Sequence, residues 1–133
     1  DGNEISSHDF AGKKWVVFFY PKASTPGCTA EACDLRDNEN ALKAAGYHLV
    51  GVSADSVQRQ KNFATKNELP FPLIADESHE VLNAFGVWGP KKFMGREFDG
   101  IHRTTFIIDE NGNITDVIEK VKTKEHAKQI LEK

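Results

Sequence analysis

Cysteine is scarce in this chain: two residues, Cys28 and Cys33, in a total of 133. Two thiols cannot build the disulfide framework of a small secreted domain. None is needed, because a chain of this length hides roughly two thirds of its unfolded surface. A long apolar run is also lacking, and nothing approaches the roughly 20 residues that span a bilayer. Charge of one sign does not dominate: 17 Lys and Arg stand against 20 Asp and Glu, for a formal net charge of −3. No basic stripe with interleaved aromatics appears, which speaks against nucleic-acid binding. There is no internal repeat, no low-complexity tract and no visible signal peptide. The histidines, His8, His48, His79, His102 and His126, are scattered. No pair of them stands near the cysteines, so a zinc site is disfavoured. C-x-x-C is absent, which removes the thioredoxin type of active site. What remains is one domain over residues 1–133, expected in the cytoplasm, with two thiols that are either inert or redox-active.

What the chain does have is an alternation of strand and helix signals. "KWVVFFY" (Lys14 to Tyr20) is a continuous apolar run, as for a strand buried on both faces. A helical stretch follows from Pro26 to Ala45, stopped by Gly46, either whole or broken near "DNEN" (Asp37 to Asn40). Tyr47 to Ala54 predicts a second strand. Asp55 to Asn67 predicts a helix capped by Asp55 or Ser56. A short strand is expected at Pro72 to Ala75 and a short helix at Ser78 to Gly86. "VWGPKKFMGREFDGIH" reads as a long glycine-spaced loop, with Lys91 and Lys92 solvated and Trp88 packed onto the core. Thr104 to Glu119 predicts a hairpin around Asn111-Gly112. Thr123 to Lys133 closes the chain as an amphipathic helix, with "EKVKTKEHAK" one face of that helix and nothing more. Phe10, Trp15, Phe18, Phe19 and Phe106 are the expected core aromatics. The order implies an α/β fold: a mixed central β-sheet flanked by helices on both faces. Function in such sheets collects at the carboxyl ends of strands, and the cysteine segment follows the first strand.

Thr25 suits a helix N-cap and Pro26 the first helical position. Cys28 is then the third helical residue. The unpaired N–H groups and the positive dipole end of the first turn favour a thiolate there. Gly27 lets a small substrate approach the backbone. The plainer alternative is that Cys28 is a small buried hydrophobe. Five residues on, Cys33 sits roughly 8.5 Å away between Cα atoms in an intact helix. A disulfide needs less than about 7 Å. The two thiols therefore bond only if the turn unwinds.

The segment "FYPKASTPGCTAEACDLRD" resembles the peroxiredoxins, in particular the bacterioferritin comigratory protein, or peroxiredoxin Q, subfamily. The signature P-x-x-x-[TS]-x-x-C falls on Pro21 to Cys28, with the subfamily's second cysteine at Cys33. The resemblance continues through "GVSADS", "LPFPLIAD", "GVWGPKK", "GIHRTTFIID" and "VKTKEHAKQIL". It implies a thioredoxin-like fold. It also implies that Cys28 attacks the peroxide, Thr25 holds peroxide and thiolate, and Pro21 shields the pocket. Arg103 would donate to both partners, Glu31 would orient Arg103, and Cys33 would resolve the sulfenic acid as a Cys28–Cys33 disulfide. The implied substrates are hydrogen peroxide and organic hydroperoxides, and the implied partner is thioredoxin or a similar dithiol reductant. No cofactor, metal, nucleic acid or membrane is expected, and a monomer is. Relatives carry a further N-terminal stretch before "DG", which implies a trimmed N-terminus, and "KAS" (Lys22 to Ser24) departs from the usual rim. Phe93 and Met94 would form an apolar collar for organic hydroperoxides. Two other readings compete: a redox sensor whose disulfide changes shape without turnover, and a disulfide oxidoreductase. The Thr25/Cys28/Arg103 set favours the peroxidase, since a sensor needs the thiols but no peroxide-activating arginine, and a dithiol oxidoreductase needs C-x-x-C.

Overall fold

The computed structural model describes residues 12–23, 25–93 and 95–131. Its centre is β1 (Lys14–Phe19), buried at every position after the first. β2 (Tyr47–Ser53) lies parallel to β1, and β3 (Leu73–Ala75) lies parallel to β2. On the other side β6 (Thr104–Ile108) runs antiparallel to β1, followed by β7 (Ile114–Ile118). The sheet order is β3-β2-β1-β6-β7. Parallel pairs need crossovers, which α1 (Pro26–Asp37) with α2 (Glu39–Ala44), and then α3 (Val57–Lys66), supply. α4 (Glu80–Ala84) and α5 (His126–Leu131) complete the helices.

Because strand side chains alternate, β1 feeds two cores. Val16, Phe18 and Tyr20 pack with Leu35, Phe63 and Ile130. Trp15, Val17 and Phe19 pack with Leu82, Ile101 and Phe106. β1 meets β2 closely at one point, where Phe18 pairs with Gly51. A Cβ on Gly51 would lie 2.7 Å from Leu73 Cδ2 and 2.8 Å from Phe18 Cζ. Only hydrogen fits there.

The structure decides between the alternatives left open for the first helical stretch and for the α3 cap, and it corrects other expectations. The helical stretch after Pro26 divides at Asn38, whose side-chain amide donates to the Asp34 carbonyl at 2.8 Å. Ser56, not Asp55, caps α3: its hydroxyl accepts the Arg59 N–H at 3.2 Å. The glycine-spaced loop is a hairpin, β4 (Trp88–Phe93) and β5 (Arg96–Ile101), paired over six residues. Its glycines and Pro90 hide the alternation that marks a strand, while Gly95, at φ +80°, makes the turn. Lys91 is half-buried rather than solvated, because the pairing brings its Nζ to the Ile101 carbonyl at 2.8 Å. The last helix begins at His126 rather than Thr123, and His126 is fully buried. Trp88 does pack onto the second core, stacked on His79 with ring centroids 4.0 Å apart. Phe10, Met94 and the side chains of Lys92 and Phe93 lie outside the described residues. No helix among the described residues is long and apolar enough to cross a membrane.

Candidate active site

Strand register explains why residues distant in sequence meet. The last residue of β1, Phe19, pairs with the first of β6, Thr104. The segment leaving β1 and the segment entering β6 are therefore neighbours. The first runs into α1 and carries Cys28 in its opening turn; the second carries Arg103.

Cys28 is 2% exposed. Arg103 Nη2 donates to its Sγ at 3.2 Å, and Arg103 Nη1 donates to Glu31 Oε1 at 2.6 Å. Glu31 stands three residues after Cys28, so α1 presents both on one face. The guanidinium fork spans them with two nitrogens at once, as a lysine could not. Gly27 has a structural reason of its own: a Cβ there would sit 3.3 Å from Arg103 Nη2 and crowd the fork.

Burial drives the charges. It pushes the fully buried Glu31 carboxyl up to about 7, against the pull of Arg103. For Arg103, burial is the largest single influence and works against the cation. Glu31 and Cys28 outweigh it and leave the guanidinium above its ordinary value.

Thr25 occupies the N-cap position with extended backbone angles, yet its side chain does not cap. Its hydroxyl donates to the Lys22 carbonyl at 2.7 Å and fixes the turn before the helix. Asp55 secures the same turn from α3's side by accepting the Ala23 N–H at 2.7 Å. Half-buried Pro21 lines a cleft of about 370 Å³ with Lys22, Trp88 and Ile101. Arg103 opens into a cavity of about 620 Å³ that shares Lys91 with the cleft. Cys33 is set apart from this group. Its Sγ is 3.7 Å from Asn67 Oδ1 at the end of α3, and both thiols are free.

The structure adds a residue that sequence reasoning passed over. His126 Nε2 lies 3.5 Å from Glu31 Oε2, behind the Arg103 contact. Burial lowers its proton affinity, with Arg103 adding and Gln129 and Asp34 opposing. The available signal was a lone histidine on the apolar stripe of the last helix.

The sequence pattern of the AhpC/TSA family matches residues 1–117. The chain belongs to that family, the peroxiredoxins, which are thiol peroxidases acting on a peroxide with a thiol reductant. Within it, the likeness is to the Bcp and peroxiredoxin Q proteins. Peroxiredoxin Bcp of Escherichia coli (strain K12) is 48% identical over 131 residues, covering 98% of this chain and 84% of the relative. Peroxiredoxin Bcp of Bacillus subtilis (strain 168) is 42% identical over 131 residues, covering 98% and 83%. Peroxiredoxin Q of Xanthomonas campestris has a TM-score of 0.89 at 37% identity, over 96% of this chain and 81% of that one. A structure of the X. campestris bacterioferritin comigratory protein, described for its alkyl peroxide reduction activity, has a TM-score of 0.89 at 36% identity, over 96% and 82%. The fold is thioredoxin-like, as expected from the sequence.

Proposed function

We propose that this chain reduces hydrogen peroxide and organic hydroperoxides with Cys28 as the attacking thiolate. Cys33 resolves the product, and thioredoxin or a similar dithiol protein restores both thiols. The observation that carries this reading is the Arg103 guanidinium held on Cys28 Sγ at 3.2 Å.

The Cys28 thiolate attacks one peroxide oxygen; an S–O bond forms and the O–O bond breaks. The departing alkoxide takes a proton from solvent and leaves as alcohol or water. Negative charge moves from sulfur to oxygen in this step, and a cation already fixed beside the sulfur stabilises it without reorganising. The N–H groups of the first turn of α1 act in the same sense. Thr25 holds the peroxide at the mouth of that turn, Pro21 limits water in the cleft, and Glu31 keeps Arg103 in place. Cys28 is now a sulfenic acid. Cys33 then attacks it; an S–S bond forms and water leaves. That step requires the first turns of α1 to unwind, since the wound helix separates the two sulfurs. Exchange with an external dithiol reduces the disulfide and oxidises the partner.

Intact mass after one equivalent of hydrogen peroxide tests the scheme. Wild type is expected to lose two hydrogens, Cys33→Ser to gain one oxygen, and Cys28→Ser to stay unchanged. Unmodified protein in all three would mean that the cysteines are packing residues.

A further inference from the structure

One buried group has no part in the scheme above. His126 opens α5 with no exposed surface. Its Nδ1 is 2.9 Å from Gln129 Oε1. That oxygen also accepts the Lys122 N–H at 2.9 Å, while the Gln129 amide nitrogen donates to the Lys120 carbonyl at 2.9 Å. Gln129 Oε1 is thus an acceptor, and His126 carries its ring proton on Nδ1. Nε2 is left with a lone pair, to which the Thr105 hydroxyl donates at 2.6 Å. Facing the same nitrogen at 3.5 Å is Glu31 Oε2, a buried carboxylate oxygen without a hydrogen-bond partner among the described residues. An unsatisfied buried acceptor is costly. A single proton on Oε2, donated to Nε2 in place of the Thr105 hydroxyl, would satisfy the orphaned oxygen.

We propose that His126 is a positioning residue of the peroxidase site: with Glu31 it holds one exchangeable proton, and that proton decides whether Arg103 is shared with Glu31 or given over to the sulfur of Cys28. The inference rests on the peroxidase reading. Without the proton, Glu31 is an anion and competes with the thiolate for the guanidinium. With it, the Glu31–His126 pair is neutral and Arg103 faces the sulfur as its sole anion. The proton comes from solvent and returns there, so no bond to sulfur changes. Linkage makes the effect reciprocal. A thiolate at Cys28 favours the proton, and its conversion to a neutral sulfenic acid releases it. The titratable and charged groups around the pair are Cys28 and Asp34 from α1 and Arg103 from the residue before β6. β6 contributes uncharged Thr105, and α5 contributes Gln129. Burial disfavours a charged imidazole and an ionised Glu31 alike, so the proton rests on the carboxyl with His126 as its acceptor.

Thr105 competes with Glu31 for Nε2, which gives two variants with opposite effects. Thr105→Val removes the competing donor and keeps the shape. His126→Gln removes the proton acceptor and offers Glu31 an amide N–H instead, which favours the ionised carboxylate. The rate of Cys28 oxidation by hydrogen peroxide is followed against pH around neutrality. The limb on which the rate falls as the pair loses its proton is expected to move to higher pH in Thr105→Val and to lower pH in His126→Gln. Profiles that superimpose on wild type overturn the proposal, and if His126→Gln does not fold, Thr105→Val decides alone. A second readout needs no turnover: the NMR titration of the His126 ring in reduced wild type and in Cys28→Ser. Titration at higher pH in wild type is expected, and coincident curves overturn the coupling. Coupled titration in a protein whose Cys28 ignores peroxide would sink the peroxidase reading and leave the proton pair standing. Reactive Cys28 with coincident curves would sink the proton pair alone.

Discussion

Arg103 holds two partners with one side chain, so its replacements divide the effect. Arg103→Ala removes a preorganised cation from the Cys28 sulfur and is expected to slow Cys28 oxidation by about 100-fold or more, by the measure of lost oxyanion donors. Arg103→Lys retains a charge but not the fork, and is expected to recover only part of that loss. Stopped-flow oxidation by hydrogen peroxide measures both. Gly27→Ala makes a subtler test. The new Cβ would meet Arg103 Nη2 at 3.3 Å, tighter than ordinary contact, and the guanidinium must yield by a few tenths of an ångström. The oxidation rate is expected to fall while thermal stability hardly changes. Equal rates would mean that the fork tolerates displacement.

At the scale of the element, α1 carries Cys28 and Cys33, the proposed nucleophile and resolving thiol, and the Glu31 carboxylate that holds Arg103. It is fastened along its length. Asp34 Oδ2 accepts the Ala127 N–H of α5 at 2.8 Å, and Arg36 Nη1 donates to the Asn67 carbonyl at 2.8 Å. Asp34→Ala is expected to lower stability by about 1.5–3 kcal/mol, as for a lost charge-assisted bond, and to speed disulfide formation by easing the unwinding. Denaturant titration and quenched-flow mass analysis read the two effects. pH acts on the same helix through Glu31. Its proton affinity is raised in the wound helix, mainly by burial, so the wound state binds more protons than the unwound one. The wound helix is therefore most favoured below the ordinary carboxylate range, and that preference is lost as pH rises to about 7. Disulfide formation is expected to accelerate across that window more in wild type than in Glu31→Gln, whose side chain has no proton to lose. Parallel rates would contradict it.

Much of this element could be read from the chain itself. Thr25, Pro26 and Gly27 punctuate the start of α1, and those signals are local. The β4–β5 hairpin was hidden because Gly89, Pro90 and Gly100 break the period of two, and its pairing is a tertiary fact. His126 was hidden for a related reason: a lone histidine on an apolar stripe looks like a plain core residue until the carboxylate it faces, 95 positions earlier in the chain, is known. The contact of Arg103 with Cys28 came from a family likeness, and spacing alone could not supply it.

For the molecule as a whole, the site depends on how closely β1 lies between its neighbours. Gly51 is the narrowest point of that packing. Gly51→Ala would place a Cβ within 3 Å of both Leu73 and Phe18. Overpacking of this kind is expected to cost about 1–3 kcal/mol, seen as a lower melting temperature. The fraction that folds should keep its peroxide reactivity, because the strain lies at the β2 side of β1 while Arg103 enters beside β6. Loss of reactivity without loss of stability would show that the two sides of β1 are coupled.

Cys28 and Cys33 ride on one helix, and under the proposed scheme that arrangement would make the protein a timer. On the scheme above, the oxidised sulfur waits for α1 to open, so the opening frequency sets how long it stays exposed to a second oxidant molecule. Sparse oxidant finds the sulfur already protected by the disulfide. A dense pulse arrives before the helix has opened and carries the sulfur on to irreversible acids. On that scheme the stiffness of twelve residues, Pro26–Asp37, would set the oxidant flux at which a recyclable scavenger becomes a single-use one.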